Sequence, residues 1–443
     1  MRPIVLALAA LAPIVATHPL AAQGAASPAP APALAAADST WAQHNAAANA
    51  ARRRGDWAAW RHHLTRLDSL VGGHPRVTLS LARAAAHLGD TTAALAHLTT
   101  LAATGLRHDV AADTDFVAVR GAKGWDAIAR QMTENAWVIG RTHPAFVLPD
   151  ADFLAEDITW DAPRARFLVS SIRGRRVVAV DEKGRASDVI SVATDPRLLG
   201  VLAVRADVPR GVLWVTDQAM RQVRDLAPGD SNRASIARYD LITGALQRRW
   251  ELPREQRPSP GDLAVGPDGA AYVSDSRTGA LYVVRAGSDS LATLVAPGTF
   301  ASPQGPAVTA DGRTVFVADY LLGIAEVDAG TGAVRWLRHA RDVALSGIDG
   351  LSLAGPRTLL AVQNGTEPNR LLRLTMDASL ARVERAEVLL QDTLRLRQPT
   401  HGVLVGRDFF LIENSGWDQF TDAGALRTDV TPAAPRVVRV RLP

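Results

Sequence analysis

The chain has no cysteine, only two lysines, and, beyond its first residues, no apolar run approaching the length of a membrane span. Each absence excludes something. Without a thiol there is neither a disulfide framework nor a lipoprotein attachment site. Stability must then come from buried apolar surface, which 443 residues can supply in two domains. With lysine confined to Lys123 and Lys183, the positive charge is almost all arginine, and 49 basic residues nearly cancel 45 acidic ones to leave +4. The runs Arg52-Arg53-Arg54 and Arg173 to Arg176 are short and lie among Asp and Glu, so they read as solvated faces and no nucleic-acid partner is expected. Nucleophile elbows, Walker loops and His-Glu-x-x-His helices are also missing, which removes those chemistries.

What is present begins with a leader. Arg2, the apolar stretch Ile4 to Val15 and the small-residue region Ala21-Ala22-Gln23 read as a secretory signal over 1–23. A retained N-terminal anchor is the alternative. The stretch is shorter than the about 20 residues needed to span a bilayer. Cleavage predicts a periplasmic or secreted protein without a transmembrane segment. Residues 24–37 form an Ala/Pro-rich linker, too poor in large apolar side chains to fold alone.

Residues 38–132 have helical periodicity. Gly55-Asp56 returns as Gly89-Asp90, an offset of 34, and Leu64, Leu67, Leu70 and Leu95, Leu98, Leu101 give each helix one apolar face. The glycine suits a sharp turn between antiparallel helices and the aspartate suits the next N-cap. The pattern resembles the tetratricopeptide repeat, with about two units and a closing helix around Phe116, Trp125 and Ile128. A plain helical hairpin domain is the alternative. No chemistry is expected there, so the module reads as a platform or docking surface.

After a connector at 133–145, residues 146–443 repeat a hairpin signature. The residues closing each second strand are Ser171, Asp217, Asp275, Asp319, Gln363 and Glu413, at intervals of 46, 58, 44, 44 and 50. That spacing predicts an all-β, six-bladed propeller, preceded by the small all-α domain. The alternating Arg436 to Leu442 and the stretch Ala145 to Leu148 predict closure by an N-terminal strand added to the last blade. Asp240-Leu-Ile-Thr243-Gly244 and Asp328-Ala-Gly-Thr331-Gly332 predict turns in which the carboxylate accepts backbone N–H groups.

Aligned on the start of each innermost strand, the six units lead with Glu156, Leu202, Gly261, Gln304, Asp349 and His401. A propeller turns these toward one axis. Two carboxylates, an amide oxygen and an imidazole form a candidate divalent-cation site, rich enough in oxygen to favour Ca²⁺, Mg²⁺ or Mn²⁺ over Zn²⁺. The alternative is that Glu156 and Asp349 only cap loops.

The texts LAEDITWDAPRARFLVSS, SPGDLAVGPDGAAYVSD, SPQGPAVTADGRTVFVAD and GIDGLSLAGPRTLLAV resemble the SMP-30/gluconolactonase family of six-bladed propellers. The resemblance implies one divalent metal in the axial funnel, with Glu156 and Asp349 among its ligands and Asp349 also the general base. Gln304 stands where the family has an asparagine ligand, one methylene longer. Gly261 stands where it has a substrate-orienting asparagine and offers no side chain. His401 is outside the family pattern and is a candidate replacement ligand or proton shuttle. The implied activity is hydrolysis of a sugar lactone or similar cyclic ester, with a small molecule as substrate. A non-catalytic scaffold for a protein partner is the competing expectation. The turns ending at Trp250 and Trp336 also look like those of quinoprotein propellers, but only two of six units carry them.

Overall fold

The structure is a computed structural model that describes residues 35–442. The leader and most of the Ala/Pro-rich linker lie outside the described residues, and the linker's last three positions belong to the first helix. No helix among the described residues is long and apolar enough to cross a membrane.

Five α-helices come first: α1 (Ala35–Arg53), α2 (Trp57–Val71), α3 (Pro75–His87), α4 (Thr91–Ala103) and, after a 3-10 turn at Thr114–Val119, α5 (Trp125–Glu134). The two Gly-Asp turns are built alike. Gly55 and Gly89 take φ +69° and +73°, and Asp56 and Asp90 each accept the N–H three residues on, at 3.0 and 3.1 Å. Leu64 and Leu67 of α2 pack with Ala48 and Ala51 of α1, while Leu98 and Leu101 of α4 pack with Phe116, Trp125 and Met132. α5 thereby covers the end of the stack.

The remaining chain is a six-bladed β-propeller of four-stranded antiparallel sheets. The innermost strands of blades 1 to 6 are Ala155–Asp161, Gly200–Asp207, Pro260–Val265, Pro303–Val308, Ile348–Gly355 and Gly402–Val405. His143–Val147 pairs with Arg436–Arg441 as the outer strand of the last blade, so the ring is closed by a strand from the N-terminal side. Six apolar clusters lie between successive blades, and their residues alternate along the strands as a sheet buried on both faces requires. The Asp240 and Asp328 turns match the expectation, with Thr243 N and Thr331 N each 2.7 Å from the carboxylate.

The helices sit on blade 5 and on the loop that enters it. Arg341 pairs with Asp68 at 2.8 Å and Arg107 with Glu367 at 2.6 Å. The buried Arg370 donates to Thr104 O at the end of α4 (2.9 Å), and Gln391 Nε2 donates to Asn135 O (2.8 Å). These loops lie at the end of the ring from which the innermost strands start.

Candidate metal centre

Five of the six innermost strands carry a register shift near their start, between Ala155 and Ile158, Val201 and Val204, Pro260 and Asp262, Pro303 and Pro306, and Ile348 and Leu351. A bulge breaks the strict alternation of a strand and re-aims side chains. The consequence is that neighbouring residues, Glu156 and Asp157, both contribute to the axial cluster. His401 directly precedes the sixth strand.

At the centre, one ligand atom each from Asp262, Asp349 and His401 lies within 4.8 Å of the others, and all three residues are buried. His401 Nε2 is 2.7 Å from Asp262 Oδ1 and Nδ1 is 3.6 Å from Asp157 Oδ1. The first is an ion-pair contact and the second is too long for a hydrogen bond, so the buried imidazole lies between two carboxylates. Asp349 Oδ2 accepts from Asn364 Nδ2 at 2.6 Å, and Tyr320 Oη donates to Asn364 Oδ1 at 3.0 Å. Glu156 Oε2 accepts from Trp417 Nε1 at 2.6 Å. Asp157 accepts from Val204 N at 2.9 Å and pairs with Arg205.

Electrostatics follow from crowding. Burial pushes Asp349 up to about 7, against the pull of His401 and with the push of Asp262. Burial, then the Asp349 charge, raise Glu156 well above the carboxylate range. Burial works against a charge on His401, yet Asp262 and Asp157 lift it to about 10. With all four carboxyls ionised, His401 and Arg205 would leave the cluster short of positive charge, which is why Glu156 and Asp349 hold their protons in the absence of a cation. That donor set fits a divalent cation: hard oxygens with one nitrogen, buried, and poorly compensated without it.

Of the residues expected on the axis, the structure brings Glu156, Asp349 and His401 together. Gln304 is at the rim, its Nε2 donating to Ser302 Oγ at 3.1 Å and its Oε1 3.9 Å from where a Cβ on Gly261 would stand. Leu202 is 5% exposed and belongs to an apolar cluster with Phe420 and Val223. Asp157 and Asp262 were not anticipated. The signal was one column further along the same alignment, where Asp157, Ala203, Asp262, Gly305, Gly350 and Gly402 stand. Two acids among residues with little or no side chain mark where the axis has room for a carboxylate. Tyr320 and Asn364 directly follow the closing residues Asp319 and Gln363, so they too share a column, and Trp417 lies in the long insert Ser415 to Ala434 that could line a ligand funnel or present a partner surface.

No known protein-family profile matches the chain, and no curated protein matches it in sequence. Solved structures resemble it in outline. A gluconolactonase from Xanthomonas campestris is 14% identical with TM-score 0.46, covering 69% of this chain and 98% of its own. Virginiamycin B lyase from Staphylococcus aureus is 12% identical with TM-score 0.45, covering 68% and 99%. The PQQ-bound aldose sugar dehydrogenase of Streptomyces coelicolor is 13% identical with TM-score 0.43, covering 69% and 98%. At these scores the likeness concerns the course of the chain and carries no argument about chemistry.

Proposed function

We propose that the funnel is a divalent-cation site and that the protein is an exported, metal-dependent hydrolase of a sugar lactone or similar cyclic ester. The observation that supports this most is the buried Asp262–Asp349–His401 cluster, whose ligand atoms lie within 4.8 Å of one another. Glu156, Asp262 and Asp349 would hold the ion, with His401 as a further donor. A divalent ion there would supply a Lewis acid for an ester carbonyl.

The protein's own groups supply the proton handling. Asp349 accepts a proton from the attacking water as its oxygen adds to the carbonyl carbon. Asn364 Nδ2 donates to Asp349 Oδ2 and fixes the orientation of that carboxylate. The ring C–O bond then breaks and the departing oxygen takes a proton, from Asp349 or from His401. The leader at 1–23 supports a periplasmic or secreted location, and the paired helices support a tetratricopeptide-like module.

A second reading, a scaffold for a protein partner, draws support from apolar side chains left exposed on the helical side, with Val117 at 59% and Trp137 at 64%. One variant separates the two. Asp349→Asn should reduce lactone hydrolysis by at least about 1000-fold, in the range of a lost catalytic base plus a lost ligand, while the protein stays folded. Wild-type protein that binds Mn²⁺ or Ca²⁺ yet turns over no lactone would favour the scaffold.

A further inference from the structure

The last blade carries a long loop between its second strand, Asp408–Ile412, and its third, Arg436–Arg441. It does not stay on its own blade. Ser415 O accepts from Ala155 N at 2.9 Å, so the loop joins the first innermost strand one residue before Glu156. Phe420, 5% exposed, inserts into an apolar cluster of blades 1 and 2 with Leu154, Ile172 and Val223, and Arg173 lies over its ring. Gln419 ties the loop to itself, donating to Ala433 O at 3.0 Å and accepting from Ala433 N at 2.6 Å. The loop is therefore a fixed strap across the seam. Its half-buried Trp417 delivers one indole N–H to Glu156 Oε2 at 2.6 Å.

We infer that Trp417 is a positioning residue: it fixes the orientation of the Glu156 carboxylate, so that one oxygen is held by the indole and the other is left to a cation at the funnel axis. This rests on the cation-site reading above. An indole N–H is a donor only, so it can neither serve as a ligand nor accept a proton from Glu156. Its ring is held by packing in the strap, which makes the N–H a fixed point rather than a mobile one. Outer groups that orient a ligand in this way typically change metal affinity by about 10–100-fold when removed. The arrangement also ties the site to ring closure. Trp417 belongs to the last blade and Glu156 to the first, so the hydrogen bond exists only when the seam is shut.

The test is a double-mutant cycle on Mn²⁺ affinity, read by calorimetry and by the paramagnetic signal of free Mn²⁺, without any substrate. Trp417→Phe keeps the aromatic ring and removes the N–H. It should weaken Mn²⁺ binding by about 10–100-fold in the wild-type background and have no further effect on Glu156→Ala, which removes the acceptor, because the indole acts only through Glu156. Melting in EDTA checks that the fold survives, and Trp417→Tyr serves if the Phe variant does not fold. Unchanged affinity in Trp417→Phe, or an equal loss in the Glu156→Ala background, overturns the assignment while leaving the cation site standing. A wild-type protein that binds no Mn²⁺ overturns both.

Discussion

Stripped of divalent cations, the protein should be most stable near about pH 5 and should weaken steadily as the solution becomes alkaline. The sign follows group by group. Asp349 has an ordinary value of 3.8 and stands at about 7 in the fold. A carboxyl raised in this way stabilises the fold fully below its unfolded value and loses that contribution as pH rises through 7. His401 moves from 6.5 to about 10, so its contribution is complete below 6.5 and fades as pH climbs toward 10. Both groups favour the protonated site. At about 1.4 kcal/mol for each unit, the Asp349 displacement alone corresponds to about 4 kcal/mol. The two shifts share the same Coulomb interactions, so they are not summed, and about 2–4 kcal/mol is the expected loss between pH 5 and 9. For a domain of this size that is a fall in Tm of about 4–12 °C.

A cation reverses the trend because it replaces the protons. Binding must displace a proton from any carboxyl or imidazole that becomes a ligand, so affinity should rise with pH and the bound ion should release protons into weak buffer. The assay is calorimetric melting across pH, in EDTA and in excess Mn²⁺. The gap between the two curves should widen from pH 6 to pH 8. A Tm in EDTA that climbs or stays level over that interval would mean that the carboxylates do not crowd His401 as the geometry places them. The cation argument would then lose its electrostatic basis.

Two further outcomes test other parts of the fold. Arg370→Met strands Gln363 Oε1 and Thr104 O while removing a guanidinium held down to about 10 by burial, and the net cost should be about 2 kcal/mol by urea titration. Limited proteolysis should also release the helical part faster, and an unchanged cleavage pattern would deny Arg370 its role in docking. Gly305→Ala places a Cβ 2.6 Å from Asp349 O and 2.7 Å from Leu351 N, which forces two innermost strands apart. It should cost about 2 kcal/mol or more and weaken Mn²⁺ binding, whereas Gly229→Ala, with nothing within 4 Å, should change neither.

The six-fold repeat was legible because every blade buries both faces and so writes the same apolar pairs of strands, with Pro-Asp-Gly and Asp-x-x-Thr-Gly turns between them. The seam was legible because Arg436 to Leu442 alternates cleanly and Ala145 to Leu148 offers a further strand ahead of the first blade. Of the site, Glu156, Asp349 and His401 could be found because each opens an innermost strand. Asp157 and Asp262 escaped for a local reason. A strand normally sends neighbouring residues to opposite faces, and only the bulge at each strand entry lets the second residue share the axis. Bulges leave little trace in one sequence. Trp417 lies in the long insert Ser415 to Ala434, which the sequence marks as able to line a funnel or present a partner surface, but nothing in one sequence says which side chain its indole meets.

Blade 5 shows how the helices and the site are joined. In blades 2, 3 and 4 the second strand ends in Asp217, Asp275 and Asp319, whose carboxylates accept N–H groups of the loop entering the innermost strand, from Leu199, Ser259 and Ala301 respectively. Blade 5 has Gln363 there, and the polarity inverts: its Nε2 donates to Ala344 O and Ser346 O at 3.0 and 2.6 Å. A carboxylate at 363 would set lone pairs against those two carbonyls. The amide satisfies them and keeps Oε1 free for Arg370, which meets it at 2.6 and 2.9 Å. The guanidinium then turns its remaining N–H toward Thr104 O at the C-terminal end of α4, where the helix dipole favours a positive charge. Gln363 is also the register partner of Ile348, the residue directly before Asp349. One side chain therefore sets both the seat of the helical domain and the entry of the strand that carries Asp349. A change at Gln363 should disturb docking and cation affinity together, while a change at the outlying Arg341–Asp68 pair should disturb docking alone.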